Sequence, residues 1–206
     1  HVGLKPILYG SIAARLSAVP VVVNAFAGLG YLFTDEARQG GLLNKALGSA
    51  LRGVLKSVRS TVMFQNHDDR DLLIKEGVVR REQSRIIPGS GVDVTAFNLR
   101  PPSGEGPIVM LASRMLWDKG IGEFVDAARR LKREHVTARF VLVGRCDEHN
   151  PAAIPIEAIQ GWVTEGLVEW WGHREDMSAT LSLATIAVLP SYREGLPKSL
   201  LEAAAC

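Results

Sequence analysis

The chain has 206 residues, 47% of them hydrophobic, which is enough to bury the core of one large domain or two small ones and excludes a disordered chain. Its 24 basic and 22 acidic residues leave a formal charge of +2, too small to imply a nucleic-acid partner. Two cysteines, Cys146 and Cys206, with no CxxC pair and no Cys/His cluster at ligand spacing, argue against a disulfide framework and a zinc site, and fit a reducing, cytoplasmic compartment.

In chain order, residues 7–16 predict a helix, 21–23 a buried strand, 42–59 a long helix and 61–64 a second strand. Residues 1–87 therefore read as the second half of an α/β domain. Pro88-Gly89-Ser90-Gly91 and Arg100-Pro101-Pro102-Ser103-Gly104 can continue neither helix nor central strand, so an interdomain linker is placed at 88–105. From residue 106 onward, apolar runs at 108–112, 140–143, 168–171 and 186–189 each precede a helical stretch, the pattern of a parallel βαβα sheet. In the first of these helices Ile121, Phe124, Val125, Ala128 and Leu131 recur at three- and four-residue spacing, with Arg129, Arg130, Lys132 and Arg133 opposite them.

The chain opens on His1 and stops at Ala203-Ala204-Ala205-Cys206 inside a helical pattern without a glycine stop, so both ends read as cuts through a longer protein. No apolar run approaches the ~20 residues needed to span a bilayer, and any membrane contact is expected to be peripheral.

The strongest chemical signal is Pro190-Ser191-Tyr192-Arg193-Glu194-Gly195-Leu196-Pro197-Lys198-Ser199-Leu200-Leu201-Glu202, which follows a strand and leads into a helix. Gly195 lets a ligand approach the backbone, and the N–H groups around Leu196, Lys198 and Ser199 at a helix start favour an anion. Glu194 and Glu202 on either side suit the hydroxyls of a sugar and a ribose. A phosphate between two hydroxyl-bearing rings describes a nucleotide-sugar. The plainer alternative is that Glu194 complements the helix dipole and Glu202 is solvated. The second signal, Ser113-Arg114-Met115-Leu116-Trp117-Asp118-Lys119-Gly120, lies at the C-terminal end of the first strand of the same sheet, where open α/β sheets bind ligands. Arg114 and Lys119 would supply two cations beside a diphosphate.

These two segments resemble the signature motifs of glycosyltransferase family 4, whose members have two Rossmann-like domains in the GT-B arrangement. The resemblance makes 1–87 the C-terminal part of the N-terminal, acceptor-side domain and 106–206 the N-terminal part of the donor-binding domain, both truncated. Lys5-Pro6, Gly28-Leu29-Gly30-Tyr31, Phe64-Gln65-Asn66, Gly89-Ser90-Gly91-Val92-Asp93 and Asn150-Pro151 are similar to a bacterial subgroup that adds N-acetylhexosamines to undecaprenyl-diphosphate-linked sugars. The resemblance implies a retaining transferase in cell-surface polysaccharide or glycan synthesis, with Arg114 and Lys119 on the diphosphate of a UDP-sugar, Glu194 on its sugar hydroxyls and Glu202 on the ribose. It implies a polyprenyl-diphosphate-linked sugar or glycan as acceptor, and no metal or other cofactor. Gly28 and Gly30 would form a substrate loop in the first domain. The family often places a histidine before that loop, where Ala27 stands here, and Asn24 is no evident substitute. This departure leaves open a catalytically silent subunit that only binds a nucleotide-sugar or a partner. As given, the chain is expected to be inactive, because segments that complete the site are missing.

Asp69-Arg70-Asp71 matches the DxD pattern of metal-dependent transferases, but carboxylates after Asn66 are expected from helix capping alone. His67, His135, His149 and His173 show no ligand grouping and read as surface or supporting residues. Val141-Leu142-Val143-Gly144 ends a strand without the glycines of a dinucleotide site, which disfavours a nicotinamide enzyme. Between Ala37 and His67 no acidic residue occurs, and Lys45, Arg52, Lys56 and Arg59 share one helical face opposite Leu43, Leu47, Leu51, Val54 and Val58. Either the apolar stripe packs on a sheet beneath a merely solvated basic face, or that face leans on an anionic membrane on the inner side of the cell.

Overall fold

The computed structural model describes residues 1–29, 41–57, 59–98, 106–147 and 150–206, excepting the side chains of residues 41–45 and 57. The chain folds as two compact units, His1–Ser90 with Glu194–Leu196, and Gly91–Arg193 with Pro197–Cys206.

The first unit is built from α1 (Leu4–Leu16), β1 (Val22–Phe26), α2 (Gly41–Ser57), β2 (Ser60–Phe64), α3 (His67–Lys75) and β3 (Ser84–Ile86). Its strands form a parallel sheet in the order β1-β2-β3. Helix α1 begins three residues before the expected Ile7 because Pro6 falls in the first turn, where backbone N–H groups have no intrahelical carbonyl to meet. Strand β1 runs on to Phe26, past Val23. The polar residue that ends the apolar run, Asn24, is fully buried, and its carboxamide oxygen lies 2.8 Å from His1 Nδ1. Paired in register, Phe26 and Phe64 stack with ring centroids 5.4 Å apart. Around them Ile7, Leu51, Leu55, Val62 and Leu73 complete the core, so the apolar face of α2 packs inward.

The second unit follows as β4 (Ile108–Ala112), α4 (Ile121–Arg133), β5 (Arg139–Val143), α5 (Ile156–Thr164), β6 (Glu169–Trp170), α6 (Met177–Leu181), β7 (Ile186–Ala187) and α7 (Lys198–Ala205). All its strands are parallel, in the order β6-β5-β4-β7. Period-two alternation sends side chains to both faces. Phe140 and Leu142 pack with Ile121, Phe124, Val125 and Ala128 of α4, while Val141 and Val143 join Met110 and Leu181 on the opposite side. The edge strands β6 and β7 are two residues each, shorter than the apolar runs that announced them. An edge strand has one partner to pair with, and just ahead of β6 Leu167 and Val168 are both in the core.

Together these make an α/β fold with two parallel-sheet, Rossmann-like units of the GT-B kind. Of the expected linker, residues 99–105 lie outside the described residues. Its beginning holds a tight turn in which Asp93 Oδ1 accepts hydrogen bonds from Thr95 N (2.9 Å) and Thr95 Oγ1 (2.6 Å). Those bonds hold the Asp93 carboxyl below the usual aspartate range.

Candidate functional site

At the carboxyl edge of the four-stranded sheet, the segments leaving β4, β5 and β6 enclose a cleft of about 560 Å³. Ser113 and Arg114 come from β4, Gly144 to Asp147 from β5, His173 and Arg174 from β6, and Ser199 from the start of α7. Close backbone bonds hold the first two segments together: Ser113 N–H donates to Val143 O (2.9 Å) and Met115 N–H to Arg145 O (3.1 Å). Gly144 makes this approach attainable. Its φ is +146°, and a Cβ there would lie 1.7 Å from Ser113 O.

Among the described residues, three arginines, Arg114, Arg145 and Arg174, and one carboxylate, Asp147, line this cleft, which gives it the charge of an anion site. Arg114 Nη1 is 3.0 Å from Asp147 Oδ2, and Arg145 Nη2 is 3.5 Å from His173 Nε2. The Arg174 guanidinium lies 5.5 Å from the Trp171 ring centroid. Trp171 Nε1–H in turn donates to Glu169, which accepts two bonds from Arg139 at 2.7 and 2.9 Å. That guanidinium holds the Glu169 carboxyl below its usual range.

Lys119 closes a 3₁₀ turn (Trp117–Lys119) that Trp117 anchors, with its N–H on Ala152 O (2.9 Å) and its ring edge-on to Trp162. Gly120 follows in the left-handed region at φ +71°, and a Cβ there would meet Pro190 O at 2.2 Å. Of the two expected cations, Arg114 lines the cleft; Lys119, on its turn, does not. In α7, Lys198 Nζ pairs with Glu202 at 3.2 Å, and the Glu202 side chain is only 14% exposed, so the solvated alternative for this glutamate does not hold. The first-turn N–H groups of Lys198 and Ser199 have no intrahelical carbonyl to meet.

Glu194, Gly195 and Leu196 group with the first unit. Within it, Asn66 Nδ2 donates to Glu194 O (2.9 Å) and Gly195 O (2.8 Å), while its Oδ1 caps α3 through Asp69 N. The Leu196 N–H expected to be open to an anion instead donates to Gln65 Oε1 at 3.1 Å. Gly195 fits because a Cβ would come within 2.4 Å of that same oxygen, and Gly28, at φ +122°, sits 3.5 Å from Gly195 N by the same measure. Gly30 lies outside the described residues.

Several readings of the sequence change here. His173, read as a surface or supporting residue, lines the cleft, as do Arg145, Asp147 and Arg174, which had not been singled out. Their signal was position, since each follows the end of a strand in a parallel sheet. Asn66 caps α3 by accepting from the Asp69 N–H, the Asp69 side chain is buried, and Asp71 pairs with Arg70 at 2.8 Å. Among the described residues no three His, Cys, Asp or Glu side chains group as a metal site would need. On α2 the Arg52 guanidinium binds Glu76 O and Gly77 O past the end of α3, while Lys56 and Arg59 remain exposed; the Lys45 side chain is outside the described residues. No described helix is long and apolar enough to cross a membrane.

Residues 106–206 match the family model of the group 1 glycosyl transferases. The chain is 30% identical to N,N'-diacetylbacillosaminyl-diphospho-undecaprenol alpha-1,3-N-acetylgalactosaminyltransferase of Campylobacter jejuni, over 96% of this chain and 54% of that protein. It is 25% identical to UDP-Gal:alpha-D-GlcNAc-diphosphoundecaprenol alpha-1,3-galactosyltransferase of Escherichia coli, over 95% and 52%. The chain thus spans about half the length of these curated relatives. In fold it is similar to Anabaena HepE in complex with UDP and glucose, with a TM-score of 0.74 at 16% identity over 99% of this chain and 55% of that one.

Proposed function

We propose that the protein is a retaining, metal-independent transferase of glycosyltransferase family 4 that moves a hexose or N-acetylhexosamine from a UDP-sugar to an undecaprenyl-diphosphate-linked sugar. The observation that carries the reading is the arginine-lined cleft at the carboxyl edge of the second unit's sheet, inside the segment that matches a glycosyl transferase family. Parallel sheets bind nucleotides at that edge, where strand ends deliver side chains and helix starts deliver N–H groups. Two relatives named for transfer to undecaprenyl-diphosphate sugars support the acceptor class.

In this reading Arg114, which lines the cleft, and Lys119, reaching toward it from five residues further along the same loop, neutralise the donor diphosphate, while Glu202 holds the ribose and Glu194 the sugar hydroxyls. The bond from the anomeric carbon to the β-phosphate oxygen breaks, negative charge collects on the departing diphosphate, and the acceptor hydroxyl passes its proton to an oxygen of that leaving phosphate as it bonds to the same carbon. Cations positioned before the reaction stabilise this charge without reorganising, which makes them the largest catalytic contribution.

The test is turnover by the complete protein with UDP-N-acetylhexosamines, UDP-hexoses and GDP-mannose beside an undecaprenyl-linked acceptor. One donor should be consumed, with activity retained under chelator, and Lys119→Ala should reduce the rate by roughly 10²- to 10³-fold. Nucleotide binding without turnover across an acceptor panel would instead support the silent subunit.

A further inference from the structure

Tyr192 sits in the loop between β7 and α7 and is 70% exposed. It nevertheless grips the second unit at two points. Its N–H donates to Asp118 O at 3.1 Å, and its hydroxyl donates to the Glu123 carboxylate in the first turn of α4. Asp118 and Glu123 flank Lys119 and Gly120, so one residue clasps the turn that presents Lys119 from both sides. Beside it, Gly120 admits Pro190 O so closely that a Cβ would lie 2.2 Å from that oxygen, and the two loops are in direct backbone contact. Trp117 fixes the other end of the turn through Ala152 O and Trp162.

We infer that Tyr192 and Glu123 form a positioning pair that holds the Lys119 turn in the geometry needed at the leaving diphosphate; the inference rests on the transferase reading above. A lysine is a point charge on a flexible stem, and its value to a transition state depends on how well its backbone is placed. A hydrogen bond to a carboxylate is stronger than a neutral one and is lost by removing a single oxygen atom. Neither residue touches substrate in this scheme. Both act through Lys119.

In the complete protein, Tyr192→Phe should lower kcat by roughly 3- to 10-fold while the affinity for UDP stays within about twofold, because the lost placement matters most where charge develops. Glu123→Ala should match it, and Glu123→Gln, which keeps an acceptor oxygen, should restore most of the rate. In a Lys119→Ala background, Tyr192→Phe should add nothing. A full loss persisting in that background would overturn the pair as a positioning device, as would normal kcat in Tyr192→Phe. Amide exchange at residues 191–193, read without substrate, should accelerate in Tyr192→Phe; unchanged exchange overturns the clasp. Wild-type protein that consumes no donor would remove the transferase reading and the catalytic role with it, whereas an active wild type with an unaffected Tyr192→Phe removes the pair alone.

Discussion

Gly144 shows how little room the cleft leaves for substitution at single residues. At φ +146° with Ser113 O where a Cβ would stand, Gly144→Ala must both strain its own backbone and push the β4 loop away. The expected cost is at least about 2 kcal/mol, with a fall in melting temperature and a parallel loss of nucleotide affinity, both measurable on the complete protein. The sequence marked Gly144 only as the end of a strand, because the further glycines of a dinucleotide site do not follow it. Its neighbour Arg145 and the distant Arg174 carried no motif. Arg114, Lys119 and the run from Glu194 to Glu202 were legible because their spacing resembles a family signature. Glycine contacts such as Gly120 against Pro190 depend on two loops some seventy residues apart, and no local pattern encodes that approach.

Elements were legible wherever periodicity ran long. Helix α4 buries Ile121, Phe124, Val125 and Ala128 as its three- and four-residue spacing requires. The edge strands β6 and β7 were overestimated, keeping two residues each, because an apolar run does not reveal how many of its residues find a strand to pair with. One edge is secured by charge: Arg139 at the start of β5 pairs with Glu169 on β6, and Glu169 also accepts from Trp171. Because folding lowers the Glu169 pKa, the pair's stabilisation is complete above the usual glutamate range and is lost as pH falls through the folded value. Glu169→Gln should therefore flatten the acid side of the stability–pH curve while leaving its slope near neutrality unchanged, as denaturant titrations at successive pH values would report. The contribution is modest, because both side chains are more than a third exposed.

At the scale of the whole molecule, the proposed transfer to a lipid-linked acceptor calls for contact with a membrane surface. The apolar side of α2 is committed to the core through Leu51 and Leu55, and Arg52 is committed to carbonyls beyond α3, so the basic face proposed for membrane contact narrows to Lys56 and Arg59 among the described side chains. At about 1 kcal/mol per basic residue near an anionic surface, Lys56→Glu with Arg59→Glu should weaken binding to phosphatidylserine vesicles at least about tenfold. Unchanged vesicle binding would leave that face merely solvated. What the sequence by itself determined is the alternation of strands and helices, the parallel sheets and the two motif segments, because hydrophobic period and turn chemistry are local properties of the chain. Only the tertiary structure decided which side chains meet: Arg114 with Asp147, Arg145 with His173, Tyr192 with Glu123. Residues brought together across a parallel sheet are separated in sequence by whole βα units, and their pairing follows from strand order and loop packing rather than from any spacing within the chain.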